Sequence, residues 1–281
     1  MSDNVGMNKH SKHSFVYRLV FMFALLQLAS PLTFAKSFSF GLGTSYENFA
    51  YKETLTAPAK SSETASFPMW LLEAKIFAPD NLSHLRLRYQ FAQNINSNYD
   101  GADLNTGAPV TGTDILSFTD YEADVNLAFT NNIFFYIGYG YRVWDRFLAG
   151  SPGYREIYHW SYMPIGLVLW LGSPSFNYGV DVSMRPTTGG TIDVITSGTY
   201  ANGQDSTMNL APKTGYRFAI PFQWQLDPMM IGFIPWYEHS EIGQSNSTTN
   251  ATLAPGANQV IVEPNSKTDR YGAELVLSYL F

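Results

Sequence analysis

The residues that could carry chemistry fall into three groups. His239-Ser240-Glu241 sets a base, a hydroxyl and a carboxylate side by side, the types that acyl transfer needs when a histidine takes the serine proton and an acid orients the histidine. On a strand, however, adjacent side chains point to opposite faces, so this adjacency argues against a working triad. Asp100, Asp103, Asp120, Glu238 and His239 form a second set, since acid pairs and a histidine can together activate a water. The third set is larger and comes from many strands: Glu47, Glu73, Lys75, Arg86, Arg88, Glu122, Asp124, Arg142, Asp181, Arg185, Arg217 and Glu274. Six acids and six bases are expected here to face one another and form ion pairs, with the planar arginine forks taking carboxylates two-handed. His84 falls among the arginines and reads as a hydrogen-bonded neighbour of theirs. His159 lies on a stretch of unclear phase. With no His pair at ligand spacing and no Cys, metal centres and disulfides have no support. The glycines of Gly138-Tyr139-Gly140-Tyr141 make room for bulky neighbours and cradle no phosphate. No catalytic, metal or cofactor-binding residue is assigned.

Those charges are positioned by strands. Residues 85–91 alternate Leu85, Leu87, Tyr89, Phe91 with Arg86, Arg88, Gln90, a period of two that no helix produces. The same alternation predicts strands over residues 37–51, 67–77, 121–129, 133–142, 156–171, 176–185, 216–225, 230–242 and 271–281. Pro164 and Pro235 leave the phase unclear in two of them. Short turns (residues 78–81, 130–132, 172–174 and 227–228) alternate strictly with long polar loops (54–64, 94–114, 145–154, 186–213 and 243–267). The fourth loop has room for a small hairpin. Ten antiparallel strands with charges on one face and grease on the other predict an all-β, up-and-down transmembrane barrel. A soluble sandwich would bury the greasy faces against each other and would have no reason to sort its connections by length. In so narrow a barrel the paired charges should largely plug the lumen.

Composition agrees. Aromatics are 16% and charged residues 14%, against about 25% charged in soluble domains. Mean hydropathy is −0.11, too polar for a bundle of membrane helices. Lys9, Lys12 and Arg18 precede a short apolar run over residues 19–28, and Thr33-Phe34-Ala35 offers a cleavage site. Residues 1–35 are therefore expected to be a secretory signal peptide and residues 36–281 the barrel domain. Removing three Lys/Arg and one Asp leaves 14 basic and 22 acidic residues, net −8, which excludes a nucleic-acid partner.

The final eleven residues put Tyr271, Ala273, Leu275, Leu277, Tyr279 and the terminal Phe281 on one face. This segment resembles the closing strand of bacterial outer-membrane β-barrels, and the resemblance extends to the architecture of the whole mature chain. It implies residence in the outer membrane, with lipid and lipopolysaccharide around the wall. The closing strand would then be the address read by the barrel-assembly machinery. In strand number, loop alternation and length the chain is also similar to omptin proteases, which use two acidic pairs and a histidine near the outer rim, but no local motif carries those residues over. Outer-membrane phospholipases use a His and a Ser two positions apart with an Asn on the next strand, a spacing not expected in this chain. The expected function is a non-enzymatic, plugged outer-membrane barrel with loops for structural or adhesive contacts, possible extracellular ligands included. A narrow small-solute channel is the first alternative and an omptin-like hydrolase the second.

Overall fold

The structure, a computed structural model, describes residues 37–55, 59–80, 82–102, 107–148, 153–253 and 260–281. The expected signal peptide lies outside them. The strands are β1 (Ser37–Glu53), β2 (Lys60–Phe77), β3 (His84–Ala102), β4 (Pro109–Ala128), β5 (Ile133–Leu148), β6 (Tyr154–Tyr162), β7 (Ile165–Ser173), β8 (Phe176–Ile195), β9 (Ser206–Ala211), β10 (Thr214–Ala219), β11 (Phe222–Leu226), β12 (Met229–Ser245), the two-residue β13 (Thr248–Thr249) and β14 (Val260–Ile261), and β15 (Ser266–Leu280). β6 and β7 form one stave and β9, β10 and β11 another, so ten antiparallel staves follow one another in chain order. β1 pairs with β15 from Ser39↔Leu280 to Glu53↔Ser266, which closes the ring. A closed ring has no edge, so every stave of the ring has a partner on both sides.

The breaks lie at prolines. Met163-Pro164 separates β6 from β7, and Ile220-Pro221 separates β10 from β11. Proline offers no N–H to the ladder, yet the neighbours hold the chain in line, since the amides of Gly138 and Gly179 donate to the carbonyls of Pro164 and Pro221. Pro235 leaves β12 unbroken. It sits in register with Ala273 and accepts from the Ile220 amide at 3.0 Å.

Strands of 15–20 residues are longer than the 9–11 needed to cross a bilayer. Two rings of aromatic side chains mark where the crossing part ends. One lies near the short-turn rim and includes Phe38, Phe176, Trp224, Tyr279 and Phe281. The other runs through Trp70, Tyr89, Tyr121, Tyr141, Tyr216, Tyr237 and Tyr271, with Tyr89 and Tyr121 5.0 Å apart between centroids. Between them the outward residues are apolar. Leu275, midway between Tyr271 and Tyr279, is 52% exposed to the surroundings, and eight residues of strand span about 26 Å before tilt. This is the height and pattern of a lipid-facing belt.

Beyond the second ring the apolar stripe changes sides. On β1 Phe38, Phe40 and Leu42 face out, whereas Phe49 and Tyr51 face in and are buried. On β4 Tyr121, Val125 and Leu127 face out while Leu116 and Phe118 face in. β1 and β4 make the change without a bulge, the inward positions simply turning from polar to apolar. β3 combines it with a bulge at Asn94, a positive-φ residue (55°) where the register to β4 shifts. The strands therefore continue well past the expected bounds. The loop foreseen over residues 94–114 shrinks to 103–108, and residues 186–213 are mostly the upper ends of β8 and β9, paired from Gly190↔Leu210 to Val194↔Ser206.

Candidate functional site

All twelve residues of the predicted charge set point into the lumen. Arg86 on β3 donates from Nε and Nη2 to Asp124 on β4 at 3.0 and 2.9 Å, and from Nη2 to Glu122 at 3.1 Å. Arg88 reaches Glu274 on β15 at 2.7 Å, and Arg217 on β10 donates to the other oxygen of Glu274 at 2.8 Å. Arg88 also lies 3.8 Å from Glu73, which Lys75 approaches at 3.0 Å. Arg185 on β8 bridges Glu122 and Glu238 at 3.0 and 3.1 Å. Arg142 takes Asp120 and Glu238, both at 2.6 Å. Asp181 accepts from Tyr136 at 2.7 Å. Glu47 pairs with Arg270 at 2.6 Å.

Arg270, Asp120 and Glu238 complete this network and were not in the predicted lumen set. Their parity gives them away, since Arg270 lies two turns of the pleat from Glu274, and Asp120 precedes Glu122 by two. Arg270 also donates to Asp120 at 3.1 Å, so β15, β1 and β4 are tied across the lumen. Among the arginines lies a cavity of about 20 Å³, lined by Arg88, Gln90, Arg142, Arg185 and Arg270 among others, room for about one water.

Above this network lies an aromatic layer. Phe67 stacks on Phe118 at 5.2 Å, Trp144 lies 6.0 Å from Phe118, and Tyr158 stacks on Trp144 at 4.7 Å. The Arg270 and Arg142 guanidiniums sit 5.7 and 5.5 Å from the Phe118 and Trp160 rings, so cations meet the faces of the layer that seals them. Near the short-turn rim Phe134, Tyr136 and Val168 cluster with Trp170 and Leu82. The lumen is filled through all these levels.

A second charged group sits above the aromatic layer, outside the membrane-spanning part. Arg146 contacts Glu63 at 2.9 Å, Glu156 at 3.0 Å, Asp114 at 3.8 Å and Glu53 at 3.9 Å. Glu263, from the connection between β12 and β15, enters the same chamber and accepts from the hydroxyls of Tyr158 at 2.8 Å and Tyr51 at 3.1 Å. Burial pushes Glu63 up to about 7 and raises Glu156 and Glu263, the last well above the ordinary carboxylate range.

The catalytic sets are not assembled. Asp120 and Glu238 are buried in ion pairs with arginines, whereas His239 points outward and meets Asp269 at 2.8 Å and Glu241 at 3.4 Å. Ser240 lies on the opposite face from His239. Asp100 pairs with Lys60 on the exterior, and Asp103 lies outside the described residues. The phospholipase-like two-residue spacing does occur, at His159-Trp160-Ser161, hidden in the sequence by the uncertain phase near Pro164. Both residues face outward on β6, but His159 spends its ring nitrogens on Tyr141 (3.0 Å) and Asp193 (3.4 Å), and Ser161 bonds the Tyr139 hydroxyl at 2.6 Å. Nucleophile and base are engaged elsewhere. Among the described residues no group of three or more acids, histidines or cysteines is placed to hold a metal ion.

Known structures share this arrangement of strands. The outer-membrane protease OmpT of Escherichia coli superposes with a TM-score of 0.59 at 10% identity, over 90% of this chain and 99% of that one. The fold is that of an outer-membrane β-barrel. The translocator domain of the autotransporter NalP from Neisseria meningitidis gives 0.45 at 8% identity, over 95% of this chain and 97% of that one. Neisserial surface protein A gives 0.34 at 9% identity, over 85% and 95%. The apolar belt fits this fold, in which the outward side chains of the wall face lipid. No curated protein matches the sequence. A family model described as a divergent InlB B-repeat domain matches residues 180–227. That stretch begins in mid-strand on β8 and ends after β11, so it cuts a closed ring of hydrogen bonds and is no separate unit of this barrel.

Proposed function

We propose that this outer-membrane barrel is closed to solutes and acts through its long-loop end, as a structural or adhesive element on the cell exterior. The observation that carries the reading is the continuous filling of the lumen by cross-wall ion pairs below and stacked aromatics above. Five longer connections and the protruding strand ends make up the surface available to a partner, and a ligand at the loops is part of the proposal. No role in catalysis is proposed, because both histidine clusters are tied up away from a nucleophile. In planar bilayers the purified barrel should show no steady conductance. Sustained, ion-selective openings would overturn the closed reading and favour a narrow channel.

Two further parts of the reading are testable. An epitope inserted in the connection between β3 and β4 should be reached by antibody on intact cells, and one at Asn131 should not; the reverse pattern would invert the topology. The closing strand is proposed as the assembly address. The Phe281 amide donates to the Phe38 carbonyl at 2.8 Å, and its ring packs on Phe38 and Tyr279 at 5.8 and 4.7 Å. Phe281→Asp should abolish the heat-modifiable folded band; normal yield of folded protein would remove Phe281 from that role.

A further inference from the structure

The chamber around Arg146 holds five carboxylates and one arginine. Glu53 comes from β1, Glu63 from β2, Asp114 from β4, Glu156 from β6 and Glu263 from the β12–β15 connection, with Arg146 on β5. The other titratable groups facing Glu263 are the tyrosines, Tyr51 on β1 and Tyr154 and Tyr158 on β6. Tyr99 on β3 closes the far side over the Arg146 guanidinium at 5.5 Å. The lumen network below is different, since there acids and arginines nearly match. Here full ionisation would leave a large negative excess among side chains out of water, a state that costs far more than holding protons.

Among the described residues Glu263 is the member without an ion pair to Arg146, which acts on it only from farther off. Its side-chain partners are tyrosine hydroxyls. Its backbone is fixed to the end of β12, the Glu263 amide donating to Ser245 Oγ at 2.8 Å and the Ser245 amide to the Glu263 carbonyl at 2.9 Å. From there the side chain reaches Tyr51 on β1, the neighbour of β15 in the ring, and Tyr158 on β6 farther round the mouth. One carboxyl thus ties the segment that leads into β15 to β1 and β6 at the barrel mouth.

We propose that this chamber is a proton-binding site, and that protons held by its carboxyls keep the Glu263 clasp closed over the outer mouth of the barrel. The released state, with Glu263 in water, has an ordinary acid. The closed state binds more protons, so it is favoured as pH falls and loses its advantage as pH rises through the raised values of the chamber. One of these, Glu63, lies at about 7. Arg146, pinned between four carboxylates, stays charged throughout and sets how many ionised acids the chamber tolerates. The environment sensed is the medium outside the cell, because the chamber lies beyond the outer aromatic ring. This inference rests on the barrel orientation of the preceding reading, but not on whether the lumen conducts.

The test uses the full-length folded barrel in detergent micelles. Hydrogen exchange, expressed as protection factors for the Ser245 and Glu263 amides, is followed from pH 5 to pH 9. The wild type should lose protection at these amides by about tenfold or more across that range, while amides of the membrane belt stay constant. Glu263→Gln keeps a neutral acceptor for the two tyrosines and should hold its protection at high pH. A second readout needs no variant to fold: infrared spectra of the wild type at pH 7 should contain the carbonyl stretch of a protonated carboxyl, vanishing towards pH 9. Protection flat across the range in the wild type, or no protonated carboxyl at pH 7, would each overturn the proposal. So would a Glu263→Gln variant that loses protection in parallel with the wild type.

Discussion

The barrel is built in two halves that sort their side chains in opposite ways. In the membrane-spanning half, Leu275, Leu277, Val125 and Ile137 face out and Arg86, Arg142, Glu274 and Asp124 face in. In the protruding half Asn98, Thr113 and Thr207 face out, while Phe49, Phe118, Trp144 and Tyr158 form a core. The backbone ladder is the same in both. Only the solvent on the outside changes, from hydrocarbon to water, and it reverses which residues belong inside. The membrane half must satisfy its buried charges by pairing, and the outer half is stabilised as a soluble protein is, by burying apolar area.

The largest effects should come from emptying either interior. Arg270→Ala leaves Glu47 and Asp120 without their shared cation and should cost roughly 3–5 kcal/mol in a reversible unfolding assay in lipid. Trp144→Ala opens a hole in the aromatic layer and should cost about the same, roughly 3–5 kcal/mol. The two differ in repair: Glu47→Gln with Asp120→Asn should recover part of the first loss and none of the second. If both variants respond alike to that repair, the halves are not held by different forces.

Exterior substitutions separate the halves more directly. Leu275→Arg, at the middle of the belt, should cost roughly 2–4 kcal/mol. Asn98→Arg, outward on the protruding part of β3, should stay within about 0.5 kcal/mol. Equal costs measured by urea titration would mean that the change of apolar side on the strands is not the membrane surface. The smallest effect is expected at Lys60, whose pair with Asp100 is half exposed on both sides. Lys60→Ala should change stability by less than about 1 kcal/mol and should respond to salt; a larger loss would show that this rim is more enclosed than its exposure indicates.

Read alone, the sequence determined the number of staves, their alternation with short and long connections, and most of the inward set of the membrane half, though not Asp120, Glu238 and Arg270. It could do so because a lipid-facing strand needs an apolar residue at every second position over nine or ten residues, and Leu85 to Phe91 or Tyr121 to Phe129 carry that pattern without neighbours. It did not reveal how far the strands run. Where Phe49 follows Leu42 at the wrong spacing, or Phe118 precedes Tyr121, the apolar period loses its phase, and a change of solvent looks the same as the end of a strand. Nor did it reveal the partners. Parity can point Arg270 and Arg146 inward, but whether Arg270 meets Glu47 or Asp120, and whether four acids surround Arg146 with Glu263 nearby, depends on the stagger between strands and on where Glu263 is held beside β12. Those are distances between residues up to 223 positions apart, fixed only when the ring closes.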